Sequence, residues 1–285
     1  MKEVGSLKII RRIMSLILVV ILIIGGCIFY GYKIEPYRVK TNSYDINNKV
    51  KSNNKVKVVQ ISDIHIKEDY TYKDFSKVVD KVNEQDPDIV VFTGDLYDNY
   101  SIYKDDVNVI NELKRIKAKE GKLAVWGNRD YGGGSGNHFE SIMNQADFEI
   151  LKNDKKTISV NNSKLRFYGL DDTMLGKPEF IYRDFISSSY NILLSHEPDT
   201  VDEYKDLNFN LALSGHSHGG QINIPFILSI NKKAIETTGL ASKYSIGMYD
   251  LDNNKKLYVN TGIGTTHISF RFNVVPEVSV FNIEI

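Results

Sequence analysis

Five short clusters of acidic, imidazole and amide side chains punctuate this 285-residue chain. They are Asp63-Ile64-His65, Gly94-Asp95-Leu96-Tyr97-Asp98, Gly127-Asn128-Arg129-Asp130, Ser195-His196 and Gly215-His216-Ser217-His218. Carboxylate and amide oxygens beside neutral imidazoles form a donor set for divalent metal ions. Cys27 is the single cysteine, so a disulfide framework and a cysteine metal site are both excluded, and any metal must be held by nitrogen and oxygen. A D-x-H triplet alone carries little information, whereas G-H-x-H is expected in roughly one chain in a hundred of this composition. Convergence of the whole ordered set is what two adjacent metal ions require. Ser195 and His196 are adjacent and no G-x-S-x-G elbow exists, which leaves a serine hydrolase unsupported. The glycine-rich run Tyr131–Gly136 lacks the Lys-Ser/Thr of a phosphate loop and reads as a flexible rim. His138 and His267 have no motif context and read as surface or packed histidines.

Each cluster follows a segment that reads as a strand. Lys55–Ser62 (KVKVVQIS), Asp88–Thr93 (DIVVFT) and Lys122–Trp126 precede the first three. Between them, Phe75, Val78, Val79 and Val82, then Val107, Ile110, Leu113 and Ile116, carry the spacing of amphipathic helices. Strand–helix–strand order implies parallel pairing. After residue 150 short strands dominate, at 164–169, 191–195, 208–214, 256–260 and 277–285, with a brief helical candidate at Pro198–Tyr204. The layout predicts an α/β fold of two β-sheets packed face to face with helices outside. Ligands of open α/β sheets bind beyond the carboxyl ends of strands, where all five clusters lie.

The first thirty residues are a different kind of chain. Residues 13–32 (IMSLILVVILIIGGCIFYGY) carry no charge and are long enough to cross a bilayer core. Lys2, Lys8, Arg11 and Arg12 precede them, and this basic flank predicts an N-terminus in the cytoplasm and a C-terminal domain outside it. No small-residue cleavage site follows the run. Arg11-Arg12 is a twin-arginine pair, and Ile24-Gly25-Gly26-Cys27 is faintly like a lipoprotein cleavage box, but the apolar run continues past the cysteine. The reading is an uncleaved signal anchor. The expected organisation is a basic tail at 1–12, the anchor at 13–32, a polar tether with one candidate strand at 33–54, and one domain at 55–285. Thirty-six Lys and Arg balance thirty-six Asp and Glu, so no nucleic-acid footprint is visible in the totals.

As a set, the clusters resemble the calcineurin-like metallophosphoesterase superfamily, whose pattern is D-x-H, G-D-x-x-D, G-N-H-[ED], a lone His and G-H-x-H. The match covers 55–285. The tail Tyr258-Val259-Asn260-Thr261-Gly262-Ile263-Gly264, with Arg271 and Pro276-Glu277, resembles the membrane-linked bacterial branch, some members of which hydrolyse UDP-diacylglucosamine. The resemblance implies a four-layer αββα sandwich holding two divalent ions. Asp63, His65 and His218 would hold the first, Asp95 would bridge, and Asn128, His196 and His216 would hold the second. The nitrogen and oxygen ligands suit Mn, Fe or Zn. Asp98 and Asp130 read as groups orienting the histidines. Where the family has His after Gly-Asn, this chain has Arg129, which can clamp phosphate but donates protons poorly. Asn128, Arg129 and His216 are the expected catalytic residues. The substrate would be a phosphomonoester, diester or pyrophosphate, alternatively lipid-linked; a low-turnover metal scaffold is the remaining alternative. Residues from Tyr131 to Met143 and from Pro225 to Ser245 are the expected pocket lining.

Overall fold

β3 (Ile89–Phe92) is wholly apolar, and β2 (Lys55–Ile61) carries apolar residues on both faces at Val56, Val58, Val59 and Ile61, because both faces of their sheet are covered. Val56, Val58, Ile89 and Val91 face a second sheet, whereas Val59, Ile61, Val90 and Phe92 face helices. The computed structural model describes residues 2–46, 55–160, 163–179, 189–236 and 238–285.

In chain order, α1 (Lys2–Lys33) and β1 (Lys40–Ile46) come first, followed by β2, α2 (Tyr72–Glu84), β3 and α3 (Asp106–Arg115). Next are β4 (Gly121–Ala124), α4 (Asn128–Tyr131), α5 (Phe139–Gln145), β5 (Glu149–Ile150), β6 (Asp154–Val160) and β7 (Ser163–Gly169). The chain closes with β8 (Tyr190–Leu194), β9 (Leu211–Ser214), α6 (Leu228–Glu236), β10 (Gly247–Asp250), β11 (Lys256–Val259) and β12 (Glu277–Glu284). One sheet has the order β1-β12-β2-β3-β4-β5 and the other β10-β11-β9-β8-β7-β6. β2, β3, β4 and β5 are parallel neighbours, as are β7, β8 and β9.

Three apolar layers hold the sandwich. α2, α3 and α5 cover the first sheet, and between the sheets Val58, Val91, Phe167, Ile192 and Leu213 interdigitate. Outside the second sheet, Leu193, Ala212 and Leu257 pack with Val201 of the Pro198–Tyr204 turn, which is a 3₁₀ helix. The fold is therefore two mixed sheets flanked by helices.

One local expectation is met and one changes. Residues 40–46, in the stretch read as a polar tether with one candidate strand, form the edge strand β1 in register with β12, from Lys40 opposite Glu277 to Ile46 opposite Ile283. The rest of that stretch, 47–54, lies outside the described residues. On α3 the buried face is Val109, Ile110 and Leu113, while Val107 is 72% exposed. Backbone spacing alone allowed either stripe.

α1 is long and apolar enough to cross a membrane, and its side chains from Leu7 to Ile28 stand exposed. Its last turn meets the rest of the chain. The ring of Phe270 lies where a Cβ on Gly31 would be, 2.2 Å away, so only glycine admits that approach.

Candidate metal centre

Five strands from two sheets end at one place. Beyond β2 lie Asp63 and His65, beyond β3 Asp95, beyond β4 Asn128, beyond β8 His196, and beyond β9 His216 and His218. Gln60 joins the sheets beneath them, its amide donating to Thr93 Oγ1 (2.9 Å) and to the Ser214 carbonyl (3.0 Å). Backbone bonds lock the loops in turn: Asp63 N–H to Gly94 O (2.9 Å), and Gly215 N–H to His196 O (3.0 Å).

The backbone is strained where it delivers these side chains. Asp63, His65, Asp95, His216 and His218 all have positive φ, between 47° and 66°. A non-glycine residue there costs on the order of 1 kcal/mol or more and persists only where its surroundings over-determine it. Close approach supplies that constraint. A Cβ on Gly215 would sit 1.9 Å from Ser62 Oγ and 2.3 Å from Asp63 Oδ2.

The donor atoms form two overlapping groups. Asp63, His65 and His218 offer atoms within 4.8 Å of one another, and so do Asp63, Asp95 and His196. His65 Nε2 lies 3.0 Å from His218 Nε2 and 3.5 Å from Asp95 Oδ2. His196 Nε2 lies 3.4 Å from Asp95 Oδ2 and 3.2 Å from His216 Nδ1. The outer nitrogens fix the rings: His196 Nδ1 donates to Thr93 O (2.6 Å) and His216 Nε2 to Gly239 O (2.7 Å). With those outer contacts made, the inner nitrogens of the two rings face each other 3.2 Å apart, and although burial opposes charge, the Asp95 and Asp63 carboxylates raise His196 well above its usual value, so a cation, proton or metal ion, belongs between the rings. Asn128 Oδ1 is buried beside them with no hydrogen-bond partner. A divalent ion would satisfy both the facing imidazoles and this oxygen, so the residues present fit two metal ions.

Electrostatics agree. Burial opposes charge on Asp63 and Asp95, yet surrounding imidazoles, led by His218 for the first and His196 for the second, hold both carboxyls below their ordinary value. Burial pushes His216 down to about 4, with His196 adding to the shift, and burial also pushes His218 well below its usual value. These two rings are neutral at neutral pH, whereas, against burial, Asp63 and Asp98 raise His65 and the Asp95 and Asp63 carboxylates raise His196, so the acidic groups of the site favour positive charge there.

A cavity of about 300 Å³ opens over these donors, lined in part by His65, Asp95, Asn128, Arg129, His216 and His218. The Arg129 amide donates to Asp95 Oδ1 (2.7 Å) and its guanidinium to Thr266 Oγ1 (3.2 Å). All seven expected ligand residues, and Arg129, are thus brought together.

Other expectations are revised. Asp98 does face a histidine, with Oδ1 3.2 Å from His65 Nδ1. Asp130 faces none: it accepts from the backbone amides of Asp95 (2.8 Å), Leu96 (2.9 Å) and Gly127 (2.9 Å), clamping two loops together. His138 is exposed at the surface, its ring stacked on Tyr100. His267, expected to be incidental, lines the cavity with Thr266. No residue of the stretch 131–143 lines it; Met174 does, and among the described residues of 225–245 only Thr238 and Gly239 do. The Tyr131–Gly136 run is instead tied down, with Ser135 Oγ donating to Arg129 O (2.6 Å) and Gly133 O accepting from Ser101 N–H (2.7 Å).

Arg271 had no assigned role. It is fully buried, donates to the carbonyls of Thr261 (2.8 Å) and Gly262 (3.2 Å), and lies 3.3 Å from His218 Nδ1. Burial lowers its pKa to about 10, so it remains a cation behind the centre. Its place in the tail pattern was the only sequence signal for it. Gln60 gave none.

Comparison with known proteins supplies similarities. The profile of the calcineurin-like phosphoesterase family matches residues 56–220. The uncharacterized metallophosphoesterase YkuE of Bacillus subtilis is 34% identical over 289 residues, spanning 100% of this chain and 99% of its own length. The uncharacterized metallophosphoesterase Cj0846 of Campylobacter jejuni is 30% identical, over 97% of this chain and 71% of its own. At 27% identity, over 79% of this chain and 82% of its own, is LpxG of Chlamydia muridarum, a UDP-2,3-diacylglucosamine pyrophosphatase.

Proposed function

The chain belongs to the calcineurin-like phosphoesterase family and is a metal-dependent hydrolase of phosphoric esters; from that premise we propose a membrane-anchored enzyme with two divalent ions and its catalytic domain, residues 55–285 with the β1 strand, outside the cytoplasm. The observation that carries the two-ion reading is the convergence of donors from five strand ends at and beneath the floor of one cavity, with a partnerless buried amide oxygen among them. Asp63, His65 and His218 would hold one ion, Asn128, His196 and His216 the other, with Asp95 between. The ions would supply Lewis-acid polarisation of the phosphoryl group and a nucleophile from water at neutral pH.

The chain's own groups do the rest. Thr93 and Gly239 carbonyls keep His196 and His216 in the tautomers that present lone pairs inward. The Asp98 carboxylate sets the ring of His65. Arg129, held by Asp95 and Thr266, presents its guanidinium to the phosphate and stabilises negative charge that grows on it, but does not donate a proton. Similarity to LpxG, together with α1, favours a lipid-linked pyrophosphate as the second reading of the substrate. The complete donor set speaks against a scaffold without turnover.

The test is hydrolysis of bis-p-nitrophenyl phosphate by the full chain in detergent, stripped of metal and reloaded with Mn, Fe or Zn. Metal-dependent turnover lost in His216→Ala, with two ions per wild-type chain, supports the reading. Turnover that survives chelation, or in His216→Ala, refutes it.

A further inference from the structure

Among the apolar side chains left exposed outside α1, Phe226, Ile227 and Ile268 lie on two adjacent segments beside the cavity. The segment Ile222–Ile227 runs beside 266–273, joined by a parallel bridge between Ile222 and Phe272 and by Asn223 N–H to Phe272 O (2.8 Å). At its tip Phe226 is fully exposed with φ of 69°, followed by the exposed Ile227. On the neighbouring segment Ile268 is 56% exposed. Phe270 stacks over Phe272 and meets Tyr32 of α1 edge-on, with ring centroids 4.9 Å apart. Arg271 N–H donates to Gly31 O (3.0 Å), which fixes this segment to the last turn of α1.

The same segment is a wall of the cavity. Thr266 and His267 line it, and Gln221 grips Thr266 from both sides, accepting from its N–H (2.8 Å) and donating to its carbonyl (3.0 Å). His267 is three residues from Phe270, so at most about 11 Å of chain separates the cavity wall from the end of α1. If α1 crosses a bilayer, its last turn lies at the interface, and everything fixed to that turn lies there too. Lys33 and Arg38, the latter donating to Tyr30 Oη (3.1 Å), stand where lipid phosphates would meet them.

We propose that Phe226, Ile227, Ile268 and Phe270 form an apolar collar that seats in the headgroup–acyl boundary of the bilayer crossed by α1, so that the metal cavity faces the leaflet and takes amphiphilic phosphoesters from it. This rests on the membrane-anchored phosphoesterase reading and adds to it a docking surface and a substrate class. A fully exposed phenylalanine at a strained turn tip is covered by none of the described residues, and shallow insertion of such tips is driven by the apolar area removed from water. A lipid substrate would then present its phosphate at the depth of His267 without leaving the membrane.

The test uses the full chain in phosphatidylcholine–phosphatidylglycerol vesicles. Cys27→Ser removes the single thiol, and Phe226→Cys or Val107→Cys then carries a nitrobenzoxadiazole label; Val107 is an exposed residue of α3, on the helical face of the first sheet. The expected result is a blue-shifted label at 226 that is quenched by lipid bearing a shallow nitroxide, and an unquenched label at 107. Equal quenching at the two positions, in vesicles that still hydrolyse bis-p-nitrophenyl phosphate, overturns the collar while sparing the catalytic reading. Failure of the chain to float with vesicles overturns the anchoring and the collar together. In a second arm, Phe226→Ser/Ile268→Ser should slow hydrolysis of vesicle-borne hexadecyl p-nitrophenyl phosphate several-fold and leave the soluble diester rate unchanged. Equal slowing of both substrates, or of neither, contradicts the proposal.

Discussion

Replacing Gly215 by alanine adds one methyl group at the point where β9 passes beneath Asp63. Gly215 has no positive φ, so the substitution strains nothing by backbone conformation and acts through space alone. The new Cβ would meet Ser62 Oγ at 1.9 Å and Asp63 Oδ2 at 2.3 Å. Ordinary contact requires more than 3 Å, so the Asp63 carboxylate must retreat by about 1 Å or the β9 loop must rise by as much. Overpacking of this kind costs roughly 1–3 kcal/mol of stability. A displacement near 1 Å at a reacting centre costs about 10²-fold in rate. The expected outcome for Gly215→Ala is therefore a urea midpoint lowered with unchanged slope, a kcat on bis-p-nitrophenyl phosphate down about 10²-fold, and loss of part of the bound metal. Ser62→Ala removes the nearest clashing atom, so the double variant should recover part of the stability lost by Gly215→Ala, giving a coupling energy of about 0.5 kcal/mol or more. Wild-type rate and metal content in Gly215→Ala would refute the crowding argument, and strict additivity with Ser62→Ala would show that the strain goes elsewhere.

Three further outcomes follow from single contacts. Asp130→Ala leaves three buried backbone N–H groups without an acceptor and should cost roughly 3 kcal/mol or more in urea unfolding; a loss within error of zero rejects its role as a clamp. Burial, with Glu197 adding to it, raises Asp172 to about 8. A raised carboxyl stabilises the fold below its unfolded value and loses that contribution as pH climbs from about 4 through about 8, so melting temperature should fall over this range, and less steeply in Asp172→Asn; parallel profiles would reject it. Because Arg129 holds charge without donating a proton, aryl phosphodiesters should turn over much faster than alkyl ones, and Arg129→Ala should lower kcat/KM by about 10²-fold; equal aryl and alkyl rates would refute this.

How much of this was legible in the sequence differs from element to element. The strand ends were, because β2 and β3 carry apolar residues on both faces and each reaches its acidic residue within three positions of its end. The donor set was, because motifs such as Gly215-His216-Ser217-His218 fix residue types at positions that a strand end delivers. α1 was, because an uncharged run of that length has few other uses. β1 was legible only as a candidate strand without bounds: its residues are polar, and pairing with β12, more than 230 positions away, sets it at Lys40–Ile46. Val107 and Val109 could not be told apart as the buried position on α3, since both fit a helical stripe and the packing partner decides. Asp130 resembled a partner for histidine by its place in the Gly127 motif, yet the turn directs it onto amides of a loop 35 residues upstream. His267 and Thr266 carry no motif and became part of the cavity only because Gln221, Arg271 and the end of α1 hold their segment there. Residue type and local spacing determine which chemistry is available and which strands carry it; contacts between distant segments decide which side chains share a cavity, because sequence separation says nothing about closure in space.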